Sequence, residues 1–376
     1  IHTYPELSFR EYKTSELVRQ ELNRIGIKYE NSPIENGIVA EIDSGKPGKL
    51  LMLRADMDAL PIQEQVAIDY KSKCNNVMHA CGHDIHTANL IAVGQILNEM
   101  KEHWKGKVKL VFQPAEENGG GGRKMIEAGL MEEVPNACLA IHVLNKKVGH
   151  IVAGSKYLTS YSDRFHVTFR GEAAHSSMPE KGVDAIGIAV AAISSLNNIV
   201  SKNLNPLDCS ALNIGQIAGG TAPNIIASEA TIDMMMRNKS KVSREIMAER
   251  ITKICRETAS MLGGSCEIER TYGYDAVYND EELTDFIVTA VKSIHGLIYK
   301  KMDFSEEEVE DHIKTGNQFD LKSEDFGFYS QKAPSALLWV GLGQGPDLHK
   351  PNFFIDSKNI VFVTKLMSLV AFEYLK

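Results

Sequence analysis

GIVAEID at residues 37–43, KLLMLRADM at 49–57, KVKLVFQPAE at 107–116 and CLAIHV at 138–143 are the runs whose reading decides the fold. Each is short and rich in Val, Ile or Leu, and longer amphipathic stretches separate most of them. That alternation predicts a sheet flanked by helices. Between the second and third runs, residues 84–100 place Ala88, Ile91, Leu97 and Met100 near helical spacing, with Asp84 as the expected N-cap. The motif before this helix therefore sits at a strand-to-helix loop, where α/β sheets carry their chemistry.

Farther along, the pattern changes near Tyr161. DRFHVTFRGEA at 163–173 is followed by a helix over about 183–200, then by LNIGQIAGG at 212–220 and EATIDMMMR at 229–237, a second helix around 243–262 and CEIERTYGY at 266–274. Strand, helix, two strands, helix, strand predicts an α+β, ferredoxin-like unit with its own core. After about residue 275 a helix over 281–295, the strand SALLWVGL at 335–342 and a closing helix resume the earlier style. The expected class is α/β. A discontinuous domain, residues 1–160 and 275–376, has a central mixed sheet flanked by helices and is interrupted by an insertion at 161–274. The acidic run SEEEVED at 305–311 reads as a solvated helix face.

At 376 residues the chain exceeds the size at which one hydrophobic core stops growing, which also favours two domains. With 49 acidic against 41 basic residues the net charge is -8, and no Lys/Arg stripe is available to neutralise a phosphate backbone, which argues against nucleic acid as a partner. No run reaches the roughly 18 to 20 apolar residues of a membrane span, and the opening IHTYPELSFREYKT lacks the pattern of a signal peptide. A soluble, cytoplasmic protein is expected. Because the first residue is Ile1 rather than Met, an upstream segment, a removed signal included, is compatible with the sequence. Six scattered cysteines suit a reduced compartment better than a disulfide framework.

MHACGHDIHTA at 78–88 packs His79, Cys81, His83, Asp84 and His86 into a few residues, and a Cys-x-His pair on one loop can offer thiolate and imidazole to one metal centre. QPAEENGGGG at 113–122 sets Glu116 and Glu117 at a strand end, ahead of glycines that let backbone approach a ligand. His142 closes the strand ACLAIHV, and His349 lies in LHKPNFFID at 348–356. Taken singly, each has a plainer explanation: a buried cysteine, a surface acidic pair, a structural histidine at a strand end. Taken together, these segments point to Cys81, His83, Glu117, His142 and His349 as ligands of two divalent ions. A bridging thiolate or carboxylate would set such ions ~3.5 to 4 Å apart with a hydroxide shared between them. Glu116 is then left as general base.

With these motifs in view, the chain resembles the two-metal aminoacylase and carboxypeptidase metallopeptidases. Within them it is most similar to the amidohydrolase branch that includes hippurate hydrolases and plant auxin-conjugate hydrolases. The resemblance spans nearly the whole chain. It rests on IHTYPELSF, RADMDALPI at 54–62, the two motifs above, AAHSSMPEKGVDA at 173–185, GGTAPNIIA at 219–227, SEDF at 323–326 and LHKPNF at 348–353. It implies the same ligands and general base, and an inserted lid and dimerisation domain that makes a homodimer. It further implies that His175 reaches the partner subunit's site to stabilise the tetrahedral oxyanion, and that Asn224 and Arg237 hold the substrate, Arg237 at its carboxylate. On the residues alone, His175 also suits a loop cap, Asn224 after Pro223 a turn, and Arg237 a surface charge. Asp58 suits either a strand-end cap or a partner that orients a metal-bound imidazole. Two departures fall near the substrate side: NQFDLK at 317–322, where relatives commonly carry a Gly-rich stretch, and Lys350 after the last ligand.

The expected reaction is hydrolysis of the amide bond of a small N-acyl amino acid or dipeptide-like molecule, with Glu116 passing the proton of the attacking water to the leaving amine. The ligand types favour zinc or manganese, with cobalt or nickel also suited. A cysteine hydrolase with Cys81 as nucleophile would leave Glu117, His142 and His349 idle. A catalytically silent metal-binding dimeric scaffold would call for a missing ligand or base, and none is missing.

Overall fold

The computed structural model describes residues 1–32, 34–299 and 312–376, so the acidic run at 305–311 lies outside the described residues. The chain forms two compact units. The first comprises Ile1–Leu158, Val277–Gln318 and Asp325–Lys376, and the second Thr159–Ala276 with Phe319–Glu324.

The first unit is built on an eight-stranded sheet in the order Lys28–Asn31, Ile38–Asp43, Lys107–Gln113, Leu50–Asp56, Ala137–Leu144, Ser335–Gly341, Ile151–Val152, Ile313–Lys314. The central strands run parallel, from Lys107–Gln113 across to Ser335–Gly341, and antiparallel pairs flank them, so the sheet is mixed. Every residue of Leu50–Asp56 and Ser335–Gly341 is buried, as expected of parallel strands covered on both faces. Alternation divides the strand residues between two cores. Leu51, Leu53, Val108 and Leu110 pack with Val18 and Leu22 of helix Tyr12–Arg24, Leu90 and Val93 of helix His83–Glu99, and Phe362 and Leu366 of the C-terminal helix Ile360–Leu375. Met52, Val111, Ala140 and Leu337 pack on the opposite face with Met125, Phe326 and Tyr329.

Two sequence expectations change here. Asp84 does not cap the helix after the motif: the cap is Gly82, in the left-handed region, and Asp84 lies in the first turn with its carboxylate accepting from His2 Nδ1 at 2.7 Å. Glycine is required at 82, because φ is +86° and a Cβ there would collide with Val143 Cγ2. The helix expected over 183–200 is two helices, Ala185–Leu196 and Ile199–Asn203, the first capped by Asp184, whose side chain accepts from Ile186 N.

The second unit holds a four-stranded antiparallel sheet in the order Ser210–Gly219, Glu229–Asn238, Tyr161–Arg170, Ser265–Tyr272. With helix Ala185–Leu196 after strand Tyr161–Arg170 and helix Lys241–Met261 after strand Glu229–Asn238, this is the ferredoxin-like order. Phe165, Val167, Phe169, Ile232, Met234 and Met236 form its core with Ile188, Ala192, Met247 and Ile251 of the helices. Buried Asp163 accepts from Arg244 at 2.6 and 2.9 Å and from Arg270 at 2.7 Å, tying the long helix to the sheet.

Candidate metal centre

The parallel strands end at one edge of the first sheet, and the residues just beyond them meet there. Asp58 follows Leu50–Asp56, Glu116 and Glu117 follow Lys107–Gln113, His142 lies near the end of Ala137–Leu144, and Cys81 and His83 open helix His83–Glu99. Cys81 Sγ lies 3.4 Å from His142 Nε2, His349 Nε2 lies 3.2 Å from Glu117 Oε1, and His83 Nε2 lies 4.0 Å from the same oxygen. Ligand atoms of Cys81, His83 and His142, of Cys81, Glu117 and His349, and of His83, Glu116 and Glu117 fall in groups within 4.8 Å. Cys81, His83 and Glu117 each belong to two of these groups, so the three groups overlap. All six residues expected at the centre are thus together.

The outer partners fix which nitrogen of each imidazole faces inward. His142 Nδ1 donates to Val143 O at 2.9 Å, which leaves the Nε2 lone pair towards Cys81. His83 Nδ1 donates to Asp58 Oδ1 at 3.2 Å, and its buried Nε2 makes no hydrogen bond. A buried imidazole nitrogen without a donor or acceptor, facing a thiol, a second imidazole and carboxylates, is what a divalent ion requires, so the residues fit a metal.

The charges around the cluster are concentrated. Burial lowers His83, but the charge of Asp56, the hydrogen bond and charge of Asp58 and the charge of Glu117 outweigh it and raise the imidazole to about 10. His142 is held well below the usual histidine range by burial and by His86. Burial and the charges of Glu117, Glu116 and Asp56 push the Cys81 thiol up. Asp58 is the organiser: one oxygen accepts from His83 and from Glu116 N at 3.1 Å, the other from Glu117 N at 3.0 Å and Ser8 Oγ at 2.6 Å. Despite burial, the His83 hydrogen bond and charge and the Ser8 hydrogen bond keep it below its ordinary value.

The backbone is bent to reach this geometry. Among the non-glycine residues with positive φ are Ala115, just before the acidic pair, at 57°, and the ligand-position residue His349 at 63°, whose amide donates to Ala80 O at 2.8 Å. Such conformations persist where surrounding structure enforces them.

Behind the ligands lies a network that sequence reading missed. Arg54, wholly buried in its strand, donates to Asp56 at 2.6 Å, to Asp325 at 2.5 Å and to Gln113 at 2.9 Å. His86 Nδ1 donates to Asp56 at 2.6 Å while its Nε2 accepts from Val143 N at 2.9 Å, beside His142. The available signal was Arg54 and Asp56 inside the otherwise apolar run LLMLRAD, since charges in a buried strand must be paired.

The other expected residues lie in the second unit. His175, exposed, pairs in a two-residue ladder with Ile225, and Ser176 N donates to Asn224 O at 3.0 Å, so His175 and Asn224 are neighbours. His175 Nδ1 accepts from Ser177 N at 3.1 Å, which puts the ring proton on Nε2 in the neutral form. Arg237 is half-buried, with Nη1 donating to Leu321 O at 3.2 Å and Ser323 Oγ at 2.5 Å, so the segment 321–323 orients it.

Comparison with known proteins agrees with this architecture. IAA-amino acid hydrolase ILR1-like 5 of Arabidopsis thaliana is 33% identical over 381 residues, covering 100% of this chain and 85% of that protein. N-acetylcysteine deacetylase of Bacillus subtilis (strain 168) is 31% identical over 375 residues, covering 99% and 94%. The crystal structure of the Bacillus subtilis YXEP protein, described as a dinuclear metal binding peptidase from the M20 family, superposes with a TM-score of 0.84 at 28% identity, covering 100% of this chain and 95% of that one. A model of Peptidase family M20/M25/M40 matches residues 52–373. This chain therefore belongs to peptidase family M20/M25/M40.

Proposed function

We propose that the chain is a dinuclear metal-dependent amidohydrolase that cleaves the amide bond of small N-acyl amino acids or dipeptide-like molecules. The observation that carries this reading is the convergence of a thiol, three imidazoles and two carboxylates at one sheet edge. Cys81, His83, Glu117, His142 and His349 would hold the ions. When bound, the ions supply a water acidified towards neutrality and a polarised substrate carbonyl. Glu116, hydrogen-bonded at Oε1 by Asp325 N at 3.4 Å, takes the water's proton and returns it to the leaving amine. Asp58 holds His83 and the Glu116–Glu117 backbone in place for this transfer.

The mixed Cys, His and Glu donor set suits zinc first and manganese next. Arg237, already oriented by Leu321 and Ser323, is assigned the substrate carboxylate, and neighbouring Asn224 and His175 the carbonyl side. We assign residues 1–160 and 275–376 to catalysis and 161–274 to lid and dimer formation, with His175 serving the partner subunit's centre. Free thiols at all six cysteines fit a reducing, cytoplasmic compartment. Among the described residues no helix is long and apolar enough to cross a membrane. The names of two relatives, for IAA-amino acids and N-acetylcysteine, support an N-acyl amino acid as substrate. Metal-loaded protein offered a panel of N-acyl amino acids and dipeptides should release free amine from some N-acyl members. Failure on every member with both ions demonstrably bound would refute the assignment.

A further inference from the structure

Glu11 is a fully buried carboxylate immediately before helix Tyr12–Arg24, and nothing in the proposed reaction uses it. Its Oε1 accepts from Ala115 N at 2.8 Å and from Phe9 N at 3.1 Å. Both residues are left-handed without being glycine, Phe9 at φ 60° and Ala115 at 57°. Each such conformation is unfavourable for a residue with a Cβ and needs something to hold it. The next two amides, of Glu116 and Glu117, go to the two oxygens of Asp58. Successive N–H groups of Ala115, Glu116 and Glu117 thus converge on two buried carboxylates, the concave backbone arrangement that binds anions. Burial, and after it the Asp58 charge, push Glu11 up to about 7. Removing a carboxylate from water is expensive, and hydrophobic packing alone would not call for one here. What Glu11 supplies is an acceptor at a fixed reach from the Ala115 amide.

We infer that Glu11 is a positioning residue for the metal centre: its Oε1 locks the left-handed turn at Ala115 that presents Glu116 and Glu117. The inference rests on the metal-ligand reading above. Glu11 acts through the backbone, at the Ala115 amide.

Reach and charge can be separated by two conservative variants. Glu11→Gln keeps the acceptor in place and loses the charge, whereas Glu11→Asp keeps the charge and withdraws the acceptor by one methylene. Each protein is loaded with cobalt(II), its visible spectrum is recorded, and metal retention is followed by competition with a chelator, with circular dichroism checking the fold. Glu11→Gln should match the wild type in spectrum and hold metal within about twofold. Glu11→Asp should show an altered spectrum and lose metal about 10- to 100-fold more readily, the range for groups that orient metal ligands. The reverse order, two unaffected variants or two equally impaired ones would each overturn the inference. Wild-type protein that takes up no metal would instead overturn the metal-ligand reading itself.

Discussion

Glu116 and Glu117 are adjacent in sequence, and their amides share one carboxylate, yet their side chains are assigned different work. Glu117 Oε1 stands between His83 and His349, while Glu116 Oε1 meets the Asp325 amide. Glu116→Gln should therefore keep both ions and lose at least ~10²-fold in turnover, since an amide of the same shape cannot carry a proton. Glu117→Gln should lose metal, measured by atomic emission after dialysis. The opposite pattern would exchange the two roles. Glu11 makes a separate prediction in the metal-free protein. Its pKa is raised from an unfolded value of 4.5 to about 7, so the folded state holds the proton more strongly. The stability this group contributes is complete below pH 4.5 and lost as pH rises to about 7, by about 3 kcal/mol in all. Glu11→Gln should flatten that fall in urea titrations across this range, and an unchanged slope would place the acid's titration elsewhere. The convergence of Cys81, His83, Glu116, Glu117, His142 and His349 was legible because Cys, His and paired Glu stand out at strand ends. Glu11, Ser8 and Asp56 were not, since a single acid or serine far away in sequence carries no local signal of the amide or imidazole it will meet.

The strands could be read from their apolar runs, because burial on both faces leaves composition little freedom. The start of helix His83–Glu99 could not, because its geometry follows from Gly82 under Val143 and from His2 meeting Asp84, contacts that no local propensity encodes. The split at Leu196 was hidden for a similar reason: SSLNNIVSKN stays compatible with helix throughout. Within strand Leu50–Asp56, Arg54 is buried and shared by Asp56 and Asp325, and the second of these also accepts from Gln113 and Gly122. Asp325→Ala should cost about 3 to 5 kcal/mol in chemical unfolding, the range for breaking a buried pair. Glu133→Ala, which removes the exposed partner of Lys109, should cost under about 1 kcal/mol. Equal costs would mean that the buried network does not hold the sheet edge together.

The two units arise from two core patterns, and the change near Tyr161 was visible as a new order of strands and helices. The return of residues 319–324 to the second unit was not visible, because so short a segment has no periodicity to assign it. The division makes a proposal about the whole assembly testable. His175 lies in the second unit and is assigned to the partner subunit's centre, so His175→Ala and Glu116→Gln proteins, each nearly inactive, should complement one another when mixed. With random reassortment about half the dimers are mixed and each carries one competent centre, so about a quarter of wild-type activity should return. No recovery after demonstrated subunit exchange would mean that His175 serves its own chain or is merely structural. The central claim, that this fold gathers its strand ends around two ions, is tested most directly by removing and restoring the metal. Protein verified as metal-free should not hydrolyse N-acyl amino acids, and activity should return with divalent metal and saturate at about two ions per chain. Full activity in the metal-free protein would contradict the account.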